Sequence, residues 1–172
     1  EELLTFTSGL SEAGSVRDSF QNQTSLVDVL NATIYSADGR GFFEYLPTNH
    51  ILARIIFKVS GQTPVEVASD AFAAMGLVQG TDFTWDAFGG VSGSAFGLHY
   101  TPRALAKLGL LYLQQGLAAP DVRIVSKEWV TASTTNKLDP DDKPDNNAPL
   151  DGYGYQWYIG ENKYMAIGGG GQ

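Results

Sequence analysis

The chain has 172 residues, 43% of them hydrophobic and 12% aromatic, enough to bury a core and unlike the composition of a disordered segment. A net charge of −8 with no clustered Lys and Arg argues against a nucleic-acid partner held through its phosphates, and no apolar run is long enough to span a bilayer as a helix. The absence of Cys removes disulfides, thiolate metal sites and a cysteine nucleophile together, and leaves the compartment open.

Glu1-Glu2-Leu3-Leu4 reads as the end of a helix, with Gly9 as its stop after the polar turn Thr7-Ser8. Residues 15–32 suit a short helix behind a Thr24/Ser25 cap, with Leu26, Val27 and Leu30 as its apolar positions. Asp38-Gly39-Arg40-Gly41 has turn chemistry, and Phe42-Phe43-Glu44-Tyr45 runs from it toward Pro47, which disfavours helix in the residue before it. A helix therefore starts near Pro47 or Thr48, and Ile51, Leu52, Ile55, Ile56 and Val59 give it a broad apolar face up to Ser60-Gly61. Thr63-Pro64 opens the next helix, which buries Val67, Ala71, Phe72 and Met75 before Gly76 ends it.

Residues 80–96 read as a loop whose glycines let the backbone approach a ligand, so it is a candidate lining for a site. Thr101-Pro102 begins a helix with Leu105, Leu108, Leu111 and Tyr112 facing the core, and Ser126 caps another. The stretch 139–151 holds three prolines and five aspartates, the composition of an exposed excursion. Residues 153–159 and 163–167 then form a β-hairpin around Gly160-Glu161-Asn162. The expected fold class is α+β, with a mostly helical part over 1–135, an exposed loop over 136–151 and a hairpin within 152–172. A start inside a helical pattern and a finish on Gly168-Gly169-Gly170-Gly171-Gln172 lead to the expectation that the chain is a piece of a longer protein.

The residues by themselves assemble no complete site. His50 and His99 lack metal-ligand spacing, and Asp139-Pro140-Asp141-Asp142 lacks the Gly and terminal Glu of a calcium loop, so no metal is expected. Neither Ser-x-x-Lys nor Gly-x-Ser-x-Gly occurs, and Ser94 and Thr134 sit in only partial versions of those signatures.

Five segments in order nonetheless resemble the class C β-lactamases and their esterase, D-aminopeptidase and 6-aminohexanoate-dimer hydrolase relatives. Leu3-Leu4-Thr5-Phe6-Thr7-Ser8-Gly9-Leu10 is similar to that family's "LLTHTSGL", and Phe43-Glu44-Tyr45 leading to Ile51-Leu52-Ala53-Arg54-Ile55-Ile56 is similar to its "F-x-Y-S-N" and "LLGRII". Gly97-Leu98-His99-Tyr100-Thr101-Pro102-Arg103, with Leu105-Ala106-Lys107-Leu108-Gly109 and Tyr112-Leu113, resembles "GL-x-x-TPRDLAKFGQLYL". Ile124-Val125-Ser126-Lys127-Glu128-Trp129-Val130 resembles "IVSKEWV", and Tyr153-Gly154-Tyr155-Gln156-Trp157 with the closing glycines resembles "YGYQWW" and "GxGGQ".

The resemblance implies a partial β-lactamase or transpeptidase-like fold, the helical region followed by antiparallel strands of the main sheet. It implies a serine hydrolase that cleaves a small-molecule or short-peptide amide or ester through an acyl-enzyme, without cofactor, in the periplasm or secreted. The nucleophile would lie in a Ser-x-x-Lys segment before Leu3. Tyr45 would be the proton-shuttling tyrosine, Gly169, Gly170 and Gly171 the oxyanion-stabilising strand, and Asn49, Phe96, Tyr155 and Trp157 the pocket. Read without the family, Tyr45 is an aromatic closing a loop against the following helix. Two departures stand out: Pro47 replaces the Asn usual two residues after the tyrosine, and the glycines carry no cation where the family has Lys-Thr-Gly. Both weaken recognition of a β-lactam carboxylate and keep a non-catalytic member that binds peptides or cell-wall fragments as the alternative.

Overall fold

The computed structural model describes residues 1–12, 33–44, 49–88, 91–92, 97–144, 148 and 150–168. The helix expected over 15–32 lies outside them. Among the described residues the chain alternates helices with small antiparallel ladders: α1 (Glu2–Thr5), β1 (Ser8–Glu12), β2 (Thr33–Arg40), α2 (Asn49–Ser60), α3 (Pro64–Ala74), β3 (Phe83–Trp85), β4 (Ala87–Phe88), β5 (Val91–Ser92), β6 (Leu98–Tyr100), α4 (Pro102–Leu113), β7 (Leu117–Ala119), β8 (Val122–Arg123), α5 (Lys127–Ser133), β9 (Gly152–Tyr153), β10 (Tyr158–Gly160) and β11 (Lys163–Met165).

The mixed helix and antiparallel composition agrees with α+β at its coarsest. The expected order, helices first and strands last, does not hold. Strands begin at Ser8, and among the described residues the ladders pair as β1-β2, β3-β6, β4-β5, β7-β8 and the three-stranded β11-β10-β9. The two- and three-residue strands are too short to show an alternating pattern, while β1 carries Gly9 and β2 carries the Asp38-Gly39 turn signal inside the strand.

Local chemistry explains the boundaries. The left-handed residue that ends α1 is Phe6, with φ 57°, and not Gly9. Gly9 instead occupies the irregularity in the β1-β2 register, where φ is 73° and a β-carbon would meet the Ser36 carbonyl oxygen. The turn expected at 38–41 is shifted likewise, since β2 continues through Arg40 and the chain turns at Gly41. Thr63 forms a full capping box with Glu66, whose carboxylate accepts the Thr63 N–H at 2.7 Å. Thr101 and Ser126 cap α4 and α5 through hydrogen bonds from Ala104 and Trp129, as their positions before the apolar runs require.

Two hydrophobic clusters result among the described residues. Phe72, Met75, Leu77, Phe83, Ala104 and Leu111 join α3, β3 and α4, with the Phe72 and Phe83 rings edge to face at 4.8 Å. Lys107 Nζ ties α4 to the end of α3 by donating to the Met75 and Gly76 carbonyls. The second cluster is Phe6, Leu138 and Tyr153, with Leu10, Phe43 and Tyr158 around it.

Three expectations about burial need correction. On α2 it is Ala53 that is buried, while Ile55, Ile56 and Val59 are exposed, because no described element covers that side of the helix. Val67 on α3 and Leu105 on α4 are exposed as well. The 139–151 stretch is polar at its tips, yet Leu138, Pro144 and Leu150 are buried and anchor it to the body.

Candidate active site

The second cluster brings together residues that are remote in sequence. Phe6 lies 5.9 Å from Phe43 and 5.6 Å from Tyr153, and Phe43 lies 5.0 Å from Tyr153, ring centroid to centroid. Tyr158 closes on Tyr153 edge to face at 5.0 Å. Backbone bonds reinforce the meeting: Glu44 N–H donates to the Phe6 carbonyl at 2.9 Å and Gly41 N–H to the Thr7 carbonyl at 2.9 Å. The Leu4 carbonyl accepts both the Gln156 N–H and its Nε2, at 3.2 and 2.9 Å. Asn136 adds a side-chain bracket, its Oδ1 accepting from Leu138 N–H at 3.2 Å and from Tyr153 N–H at 3.0 Å.

Tyr45, Phe96, Gly169, Gly170 and Gly171 lie outside the described residues. Their neighbours do not. The chain leaves toward Tyr45 from Glu44 on this cluster. It leaves toward Gly169 from Gly168, just past β11, which pairs with β10 as β10 pairs with β9 and Tyr153. The flanks of the two expected catalytic segments are thus tied to one small sheet.

The remaining pocket candidates have separate surroundings. Asn49 opens α2 and is half-buried. Tyr155 donates its hydroxyl to Glu1 Oε1 at 2.8 Å, packs 5.4 Å from the Trp129 ring, and has Lys137 Nζ 5.1 Å from its ring centroid. The bond to Glu1, with burial and the Glu1 charge behind it, raises the Tyr155 pKa. Trp157 instead packs 4.5 Å from Tyr112 of α4 and 5.2 Å from Tyr164 of β11. The reason is the break between β9 and β10: Gln156 takes φ 66°, so residues 153–159 are two strands and not one.

The 80–96 segment is not the open loop expected. Within it β4 pairs with β5, and β3 pairs with β6 just beyond it, with Thr84 opposite His99. That register sets His99 Nε2 3.2 Å from Asp86 Oδ2 on the surface, a pairing that thirteen residues of separation gave no means to foresee. A second contact of this kind is Phe43 N–H donating to Asp142 Oδ2 at 2.7 Å, across 99 residues.

Among the described residues no group of three or more His, Asp or Glu side chains is arranged to hold a metal, and no helix is long and apolar enough to cross a membrane. No family model matches the chain, and no curated protein matches it.

Proposed function

We propose that these residues form part of a serine hydrolase related to the β-lactamases, acting on an amide or ester. The observation that carries this reading is the meeting of Phe6, Phe43 and Tyr153, one from each of three segments that resemble the family at separate places in the chain. The cluster supports reading the three segments together as one unit.

In the proposed reaction a serine from a segment before Leu3 attacks the substrate carbonyl, and Tyr45 carries the serine proton to the leaving amine or alkoxide. Water then attacks the acyl-enzyme, and its proton returns through Tyr45 to the serine oxygen. The backbone N–H groups of the Gly169, Gly170 and Gly171 segment stabilise the oxyanion. Pro47 and the cation-free glycine segment favour a substrate without a carboxylate to be clamped. The same two features support the second reading, a protein that binds peptides or cell-wall fragments and does not turn them over.

A fluorophosphonate probe applied to the protein carrying the residues before Glu1 separates the two. Labelling of a serine in Ser-x-x-Lys, with hydrolysis reduced about 100-fold or more by Tyr45→Phe, is the expected outcome for a lost proton shuttle. An intact protein that resists the probe establishes the binding reading, and full activity after Tyr45→Phe removes Tyr45 from the mechanism.

A further inference from the structure

Trp129, Lys137 and Tyr155 gather at the surface beside α5, and main-chain bonds hold all three in place. The Ser126 hydroxyl accepts the Trp129 N–H at 3.0 Å in the first turn of α5. At the other end of that helix the Ser133 carbonyl accepts the Tyr155 N–H at 2.9 Å, and Gly154 lies so close to the same carbonyl that a β-carbon would clash with it. The Lys137 N–H donates to the Tyr153 carbonyl at 2.8 Å. The Trp129 and Tyr155 rings, 5.4 Å apart at 39°, make one aromatic surface, and Trp129 is 44% exposed.

Groups of both hydrogen-bonding kinds stand around these rings. The Tyr155 hydroxyl donates to Glu1 Oε1 at 2.8 Å, which leaves acceptor lone pairs on the phenol oxygen and on the carboxylate. Lys137 Nζ lies 5.1 Å from the Tyr155 ring centroid, and among the described residues no carboxylate is within ion-pair distance of it. A pyranose with equatorial hydroxyls matches this set: its axial C–H hydrogens, slightly positive, form an apolar face that suits the negative face of an aromatic ring, and its hydroxyls both donate and accept at the rim. A purely apolar ligand would desolvate Lys137 and Glu1 without pairing them, and a small anion would make no use of two rings. We propose that Trp129 and Tyr155 are a binding platform for a β-linked pyranose oligosaccharide, with Lys137 and Glu1 hydrogen-bonding its substituents. None of the four residues takes part in the bond cleavage proposed above, so this inference stands or falls apart from the hydrolase reading.

Titration of the protein with cellotetraose and with chitotetraose, followed through the NMR signals of the Trp129 indole and of the backbone amides, tests it. The expected result is saturable shifts centred on Trp129 and Tyr155 with a millimolar Kd, and saturation by either sugar supports the proposal. Trp129→Ala is expected to weaken binding about 10-fold or more, and Tyr155→Phe and Lys137→Met, which keep the ring and the stem, about 3- to 10-fold each. Leu113→Ala, at an exposed position on α4, matches the parent. The amide spectrum of each variant reports its folding, and Tyr155→Phe and Lys137→Met decide the matter if Trp129→Ala does not fold. No saturable shift with either sugar up to about 30 mM overturns the proposal, as does undiminished affinity in Tyr155→Phe and Lys137→Met together. Shifts at Trp129 produced by a short glutamate peptide and by neither sugar assign the face to an acidic peptide and overturn it as well.

Discussion

Gly116 turns the chain from α4 into β7 with φ of 88°, and a β-carbon there would run into the Val125 carbonyl. Its substitution thus combines a left-handed backbone with a clash against main chain that cannot swing away. Gly116→Ala is expected to destabilise the fold by about 2 kcal/mol or more, read as a lower urea midpoint at unchanged slope. Tyr100 supplies a pH dependence at the same scale. Burial beside Phe72 and Phe83 pushes its hydroxyl from 10.0 up to about 12. The unfolded chain loses this proton first, so the contribution is intact below pH 10.0 and is lost as pH rises through about 12. Urea titrations across that window should show falling stability in the parent and a shallower fall in Tyr100→Phe. An identical decline in both would assign the loss to other groups.

At the scale of elements, the caps were legible and the covered faces were not. Thr63, Thr101 and Ser126 stand directly before apolar runs, and a hydroxyl in that place answers the orphan N–H groups of the first turn whatever surrounds the helix. An apolar stripe is weaker information, because it marks a side that benefits from cover without naming what covers it. On α2 the buried residue is Ala53, 2% exposed, while Val59 is 83% exposed. Val59→Lys is therefore expected to change stability by less than about 0.5 kcal/mol, and Ala53→Leu to cost about 1–3 kcal/mol through overpacking. Thermal unfolding of the two variants checks this, and a large cost at Val59 would mean that its side of the helix is covered after all.

For the whole molecule the separation of the two clusters is what matters. One is built from α3, β3 and α4, which are near in sequence; the other joins Phe6, Phe43, Leu138 and Tyr153 from both ends of the chain. Phe72→Ala and Phe6→Ala should each cost about 3–5 kcal/mol, and their effects should add within about 0.5 kcal/mol because among the described residues the two clusters have no member in common. Marked non-additivity in a double-mutant cycle would show that the clusters behave as one core. The same cluster includes Phe43, two residues before Tyr45 of the proposed site.

The amino-acid sequence by itself determined what depends on neighbours along the chain. That covers the capped starts of α3, α4 and α5, the tight hairpin at Glu161-Asn162 and the net acidic charge. It also carries the ordered resemblance on which the functional proposal draws. Tertiary structure alone decided which apolar side chains are covered, that α1 ends at Phe6 and not at Gly9, and that Tyr155 and Trp157 part company at Gln156. It alone brought Asp142 to Phe43 and Asp86 to His99. The physical reason is the same in each case. Caps and tight turns are satisfied within four residues, whereas burial and long-range hydrogen bonds depend on what another part of the chain delivers, and local pattern holds no record of that delivery.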